Sequence, residues 1–355
     1  MWCSDLLQLV SATFALCASS RHLGDRLVED RPTRKAGLLR LANATLALGA
    51  SSSYVSRALV DTGTPKNFDE KVFHAARHHV LTAYGHIAYV ERGEGDVALF
   101  LHGFPLNGFQ WRGAIDRLSA YRRCIAPDFL GLGYTEVWEG QSVAPDAQVA
   151  MLISLLDALG VARADVIAND AGGTVAQLLV AQHPARVRTL LLTNCDTEPA
   201  SPPAAMRQVI AMSHAGAYAD SCLAPWLADK TLARSSQGIG GMCFANPAEP
   251  GDEAIDCYLT PLVSSPWRKA LVHAYAAALD HNPLDGISAA LHRCKVPTRI
   301  VWGRDDAIFP VTGARYLDRN LGHSLGVRYV DGAKLFYPEE RPDVIAEEAR
   351  KLWGV

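Results

Sequence analysis

The chain has 355 residues, of which 49% are hydrophobic and 20% charged, with a formal net charge of −3. This length can hold one large domain with insertions or two modest domains, and the composition is that of a globular protein. Acidic and basic residues are interspersed without a basic block, which argues against nucleic acid or a membrane surface as a partner.

The first 70 residues predict a helical N-terminal extension. Ser4 can cap a first helix, and a second apolar stretch ends at Gly49. The apolar run between residues 6 and 20 lacks a basic start and is too short to cross a bilayer, so a signal peptide is disfavoured. We expect these helices to pack on the main body, and they or the cap described below could join two copies into a homodimer.

Eight cysteines are scattered along the chain without a C-x-x-C pair or zinc-like spacing with histidine. Such spacing favours reduced thiols in a cytoplasmic protein over disulfides or a metal site. We therefore predict a cytoplasmic location and no cofactor.

From about residue 79, strands alternate with helices, which is typical of a parallel sheet. The predicted strands lie at residues 79–83, 86–92, 97–101, 124–127, 166–168 and 190–193, and the predicted helices at 146–159 and 173–182. We assign residues 71–195 to the first part of an α/β core.

The pattern becomes helical over residues 196–293 and then returns to strands at residues 298–302 and 327–330. An insertion of this kind is expected to form a cap over the carboxyl edge of the sheet, where such folds bind ligands. Residues 294–355 would complete the core and end in a helix.

The strongest local signal is a predicted strand that turns abruptly into a helix at Asp170. Ala168 and Gly172 flank it two residues away on each side, as a strained turn requires. The turn would present Asp170 beside a helix N-terminus, which favours an anion. A capping aspartate at a strand–helix junction is the alternative interpretation.

A second motif follows the third predicted strand, where His102 and Gly103 precede Phe104 and Pro105. A loop at this place can supply a backbone N–H to an oxyanion, and the N–H of Ala171 would be the second donor. His102 is more often a residue that shapes such a loop than a base.

Four motifs together resemble the α/β-hydrolase superfamily over roughly residues 79–355. They are HGFP at residues 102–105, DFLGLG at 128–133, the turn at Asp170 and GRDD at 303–306. The resemblance implies a mostly parallel eight-stranded sheet with a helical cap. The aspartate at the turn is similar to that of epoxide hydrolases and haloalkane dehalogenases, which attack carbon with a carboxylate.

The resemblance also implies a role for each site residue. Asp170 would be the nucleophile, and Phe104 and Ala171 the oxyanion donors. Asp306 would be the acid, with Asp305 and Asp196 as alternative positions. Further candidates for substrate contact are His102, Asn169, Tyr218, Tyr258, Tyr275 and Trp226.

The chain departs from this pattern at the histidine that should follow the last strand, where Leu335 stands after Lys334. A leucine cannot accept a proton, so the usual activation of water is missing. Ala171 and Phe104 also replace the tryptophan and asparagine that hold halide in dehalogenases, which disfavours dehalogenation.

Other residues could supply a base in its place. His323 precedes the final strand, and His214, His273 and His281 lie in the predicted cap. Lys334 could pair with Asp306 or approach Asp170. The sequence does not decide among them.

Three functions remain open. The first is an epoxide-hydrolase-like enzyme for a small, largely apolar substrate, with Asp170 as nucleophile and an atypical base. The second is a lyase, isomerase or cyclase in which Asp170 acts as general acid or base. The third is a catalytically silent protein that binds a small ligand.

Overall fold

The computed structural model describes residues 68–355. The predicted helical extension therefore lies outside the described residues up to position 67. None of the described helices is long and apolar enough to cross a membrane.

Nine strands form one sheet within residues 68–355. They are β1 (Arg77–Thr82), β2 (Gly85–Arg92), β3 (Val97–Leu101), β4 (Arg123–Pro127), β5 (Glu136–Val137), β6 (Ala164–Ala168), β7 (Val187–Leu192), β8 (Thr298–Gly303) and β9 (Ser324–Val330). Eight of them run side by side in the order β1-β2-β4-β3-β6-β7-β8-β9, and the two-residue β5 pairs with β2. All pairings except those of β2 are parallel, so the mostly parallel sheet is confirmed.

Helices connect these strands on the described part of the chain. They are α1 (Glu70–Ala75), α2 (Arg112–Leu118), α3 (Pro145–Ala158), α4 (Ala171–Gln182), α5 (Met206–His214), α6 (Ala224–Ala228), α7 (Lys230–Arg234), α8 (Ile239–Cys243), α9 (Asp252–Val263), α10 (Pro266–Ala277), α11 (Ser288–Arg293), α12 (Val311–Asn320), α13 (Tyr337–Glu340) and α14 (Pro342–Trp353). The segment between β7 and β8 contains helices α5 to α11 and no strand. The domain boundaries assigned above stay predictions.

The core follows from the apolar composition of the central strands. Every residue of β3 and β6 is buried, because helices cover both faces of a parallel sheet. β3 has the predicted bounds, whereas β6 begins two residues earlier than predicted. A strand buried on both faces has no alternating pattern to mark its ends.

The parallel direction of β3 and β6 to β9 brings their carboxyl ends to one edge of the sheet. The loop at Gly103 follows β3, Asp170 follows β6, and Asp196 follows β7. Asp306 follows β8 and Leu335 follows β9. All five positions singled out by the sequence therefore leave the sheet at the edge where such folds bind ligands.

Candidate active site

Asp170 occupies a strained turn between β6 and α4. Its φ of 53° makes it the single non-glycine residue with positive φ among residues 68–355. A Cβ at Gly172 would come 2.3 Å from the carbonyl oxygen of Leu101, so the turn needs a glycine there. Strain of this type costs about 1–3 kcal/mol and must be held by the surrounding structure.

Two backbone N–H groups hold the Asp170 carboxylate. The N–H of Phe104 donates to Oδ2 at 2.8 Å, and the N–H of Ala171 at the start of α4 also donates to this carboxylate. These are the two predicted oxyanion donors. The structure brings both to the side chain of the predicted nucleophile.

Asp170 lines a small pocket. Its polar lining also includes Asp196, Thr174, Ser201 and Tyr275. Apolar side chains supply most of the remaining wall: Pro145, Pro202, Pro203, Met206, Leu279 and Phe309. The wall of the pocket is therefore mainly apolar around a cluster of polar side chains.

Asp196 is the second carboxylate in this pocket. It is buried after β7, where the hydroxyl of Thr174 donates to its Oδ2 at 3.0 Å and the hydroxyl of Ser201 also donates. Burial raises the pKa of Asp196 to about 6. Burial, followed by the charge of Asp196, raises the pKa of Asp170 to about 8.

Tyr275 of α10 faces the two carboxylates from the helical segment. Its ring is buried and stacks on Phe104 with centroids 5.4 Å apart. Its hydroxyl is buried without a hydrogen-bond partner, although it belongs to a residue that lines the pocket. Tyr218 stacks on the same Phe104 ring at 6.0 Å but does not line the pocket.

Asp306, the predicted acid, lies outside the pocket lining. Its Oδ2 accepts from the side-chain amide of Asn194 at 2.8 Å, and its Oδ1 accepts from the N–H of Ile308 at 2.8 Å. Burial raises the pKa of Asp306 to about 6. Its oxygens are thus already bonded within the protein.

The loop after β9 is packed as a structural element. Leu335 is 3% exposed, and its carbonyl oxygen accepts from Asn169 Nδ2 at 3.1 Å. The N–H of Phe336 donates to the carbonyl oxygen of Cys243 in α8. This loop therefore ties the core to the helical segment and contributes no base.

The residues that could have replaced the histidine lie outside the pocket lining. His273 accepts the N–H of Ala219, and His214 pairs with Asp280 at 3.4 Å. Lys334 donates to the carbonyl oxygen of Gly241 at 2.7 Å. His281 is exposed, and His323 lies at 3.0 Å from the carbonyl oxygen of Lys295. The lining of the pocket contains no histidine.

Four other candidate contacts, His102, Asn169, Tyr258 and Trp226, do not line the pocket. His102 Nε2 accepts the N–H of Phe129 at 3.0 Å, and burial lowers the pKa of His102, so this ring shapes the loop. Asn169 donates to Thr193, which follows β7, and to the carbonyl oxygen of Leu335 in the loop after β9. Tyr258 donates to Glu339 at 2.7 Å. Trp226 is buried in the core cluster.

Asp196 was an alternative position for the acid in the sequence, and Thr174 and Ser201, which line the same pocket, were not singled out. A signal was available, because Asp196 follows the strand next to β6 and Thr174 lies four residues after Asp170 on α4. Groups at the carboxyl ends of adjacent parallel strands meet at the same edge.

Comparison with known proteins gives matches over the first part of the core. The profile of the alpha/beta hydrolase fold family matches residues 97–220. A 2-hydroxymuconate semialdehyde hydrolase of Pseudomonas putida is 41% identical over 104 residues, which are 29% of this chain and 37% of the relative. A cis-3-alkyl-4-alkyloxetan-2-one decarboxylase of Xanthomonas campestris is 34% identical over 139 residues, which are 36% of this chain and 45% of that relative. The chain thus spans less than half the length of these curated relatives.

Solved structures extend the likeness to most of the described chain. An alpha/beta hydrolase fold protein from Burkholderia ambifaria superposes with a TM-score of 0.65 at 22% identity. The match covers 78% of this chain and 99% of that protein. At this identity the likeness concerns the fold alone.

Proposed function

Starting from the α/β-hydrolase fold that this chain has, we propose that it is an enzyme that opens a small, largely apolar epoxide or similar electrophile by attack of the Asp170 carboxylate. One observation carries the proposal: both N–H donors, from Phe104 and Ala171, converge on this carboxylate inside an apolar pocket.

The arrangement of the donors suits covalent chemistry. With the N–H of Phe104 on Oδ2, the other oxygen of Asp170 is the one that attacks carbon. Oδ2 then becomes the carbonyl oxygen of the ester. When water adds to that ester, the negative charge develops on Oδ2, at the place where the donors already are.

Tyr275 can complete the opening step. Its hydroxyl has no partner and belongs to a residue that lines the pocket, so it can donate a proton to the epoxide oxygen as the carbon–oxygen bond breaks. A buried hydroxyl without a partner costs about 1–3 kcal/mol, and a bound epoxide oxygen would satisfy it.

A second candidate is a reaction in which Asp170 acts as an acid and no ester forms. Its pKa of about 8 leaves it largely protonated at neutral pH, so it can donate a proton to a substrate oxygen. Similarity to an oxetanone decarboxylase over 139 residues supports keeping this candidate.

The test is intact-mass measurement of the native chain and of Asp170→Asn after incubation with a panel of terminal epoxides, oxetanones and activated esters. We expect an adduct, or turnover that leaves heavy oxygen from labelled water in the Asp170 carboxylate during a single turnover. Asp170→Asn should lower the rate at least about 10³-fold, and its retained far-UV circular dichroism is the control for folding.

The other outcomes separate the alternatives. Turnover with heavy oxygen only in the product, never in Asp170, supports the acid–base candidate. Absence of both adduct and turnover across the panel contradicts both enzymatic candidates and leaves a binding protein, which native mass spectrometry of the purified chain would test.

A further inference from the structure

We propose that Asp196, and not Asp306, activates the water that hydrolyses the Asp170 ester. This inference rests on the function proposed above and names a second catalytic residue for it. A residue after β7 would thus accept the proton from water, because the loop after β9 has no base.

The geometry distinguishes the two aspartates. Asp170 and Asp196 follow the adjacent strands β6 and β7, and both line the same pocket. Thr174, in the first turn of α4, lines the same pocket and donates to Asp196 Oδ2. Asp196 is therefore fixed beside the space into which water must enter to reach the ester.

Asp306 does not line that pocket, whereas Asp196 does. Asp306 is held by Asn194 and by the backbone N–H groups of Ile308 and Phe309. A carboxylate in the family pattern acts through a histidine, and Leu335 offers no ring to carry the proton. Asp306 therefore has no route for taking a proton from pocket water.

The Tyr275 hydroxyl is an observation independent of the carboxylates. It is a polar group on a side chain that is 1% exposed, it has no partner, and it belongs to the same pocket. A buried hydroxyl without a partner leaves one hydrogen bond that a ligand atom can supply. The pair is thus part of a ligand site and not merely an acidic cluster.

The charges agree with these roles. The ionisable groups that interact with Asp196 in this region are Asp170, Cys195 and Tyr275. Burial raises the pKa of each of these groups and of Asp196 itself. Asp196 has the lower pKa of the carboxylate pair, about 6, and is ionised at neutral pH. It is therefore the member of the pair able to accept a proton.

The proposed steps balance. In the first step, the ionised form of Asp170 bonds to carbon, the epoxide carbon–oxygen bond breaks, and Tyr275 gives its proton to the released oxygen. In the second, Asp196 removes a proton from water as the oxygen of water bonds to Cγ of Asp170. The tetrahedral oxyanion then collapses, Asp196 returns the proton to the departing alkoxide, and the Asp170 carboxyl proton restores Tyr275.

Asp196→Asn tests the inference in single-turnover experiments with a terminal epoxide. We expect the Asp170 ester to accumulate, with hydrolysis slowed at least about 10²-fold. Ester formation should be unchanged or faster, because removing the neighbouring charge lowers the pKa of Asp170. In Asp196→Ala, added formate should restore hydrolysis, which a merely structural role of Asp196 would not allow.

Asp306→Asn is the matched variant, and Thr174→Val serves if Asp196→Asn fails to fold. Asp306→Asn should not accumulate ester, whereas Thr174→Val should slow hydrolysis a few-fold without slowing ester formation. Ester accumulation in Asp306→Asn together with native hydrolysis in Asp196→Asn would overturn the inference. If the native chain incorporates heavy oxygen into Asp170 and Asp196→Asn hydrolyses the ester at the native rate, the inference fails and the proposed function stands. If the native chain never incorporates heavy oxygen into Asp170, the proposed function itself fails, and the inference with it.

Discussion

Two parts of the same sheet edge carry buried aspartates but treat them differently. At the ends of β6 and β7, Asp170 and Asp196 face a pocket, and the backbone of Asp170 is strained. At the ends of β8 and β9, Asp306 is bonded to groups of the protein and Leu335 fills the neighbouring space. All three carboxylates accept hydrogen bonds from the protein, but only Asp170 and Asp196 also border a space that a ligand can enter. A buried carboxylate away from such a space serves to stabilise a loop.

Tyr275→Phe sharpens this contrast most strongly on the pocket side. We expect epoxide opening to slow by about 10²-fold or more, because the proton for the epoxide oxygen is lost. Activated esters, which need no such proton, should be attacked at nearly the native rate. Because the hydroxyl has no partner, the free energy of unfolding should not fall. Stopped-flow kinetics and urea unfolding measure the two quantities, and an equal loss for both substrate classes would contradict this role.

Leu335→His tests the other part of the edge, at the ends of β8 and β9. We expect the free energy of unfolding to fall by about 1–3 kcal/mol, because a ring with polar nitrogens replaces a buried leucine. Turnover should not rise in the otherwise native chain. Leu335→Met, which keeps the volume, should cost less than about 1.5 kcal/mol and is the control. A stable, faster Leu335→His would show that the loop after β9 still supports a histidine.

The smallest expected effect is the pH dependence of folding stability, which depends on the buried aspartates of both parts. A carboxyl group whose pKa is raised on folding stabilises the fold below its unfolded value, and that contribution disappears as pH rises through the folded value. For Asp170 the window runs from the ordinary 3.8 to about 8, and for Asp196 and Asp306 it ends at about 6. The melting temperature should therefore fall between about pH 5 and about pH 8.

Asp170→Asn supplies the control for that measurement. Its amide oxygen can still accept the N–H of Phe104, but no charge is buried at high pH. The variant should melt above the native chain near pH 8 and close to it near pH 5. An unchanged difference between the two pH values would contradict the raised pKa of Asp170.

Much of the fold could be predicted from the sequence because it depends on local patterns. The apolar run of β3 and the small residues around Asp170 mark their positions directly. The choice between Asp196 and Asp306 could not be predicted in this way. Both follow parallel strands, and which of them faces the pocket depends on distant partners, Asn194 for one and Thr174 for the other.

The cap tyrosines show the same limit. Tyr218, Tyr258 and Tyr275 are equivalent in the sequence, where only their place in a helical segment is visible. In the structure, Tyr258 donates a hydrogen bond to Glu339, and the ring of Tyr218 stacks on Phe104. Of the three tyrosines, Tyr275 alone lines the pocket. Helix packing, which decides these positions, is a tertiary property that periodicity does not contain.

The stack of Tyr218 and Tyr275 on Phe104 has a mechanical consequence. The same residue offers its ring to the helical segment and its N–H to Asp170. Any displacement of α10 large enough to admit a bulky ligand must release that ring, and with it the loop that carries the donor. Under the function proposed above, enclosure of the ligand and placement of the N–H donor would be coupled through this one residue.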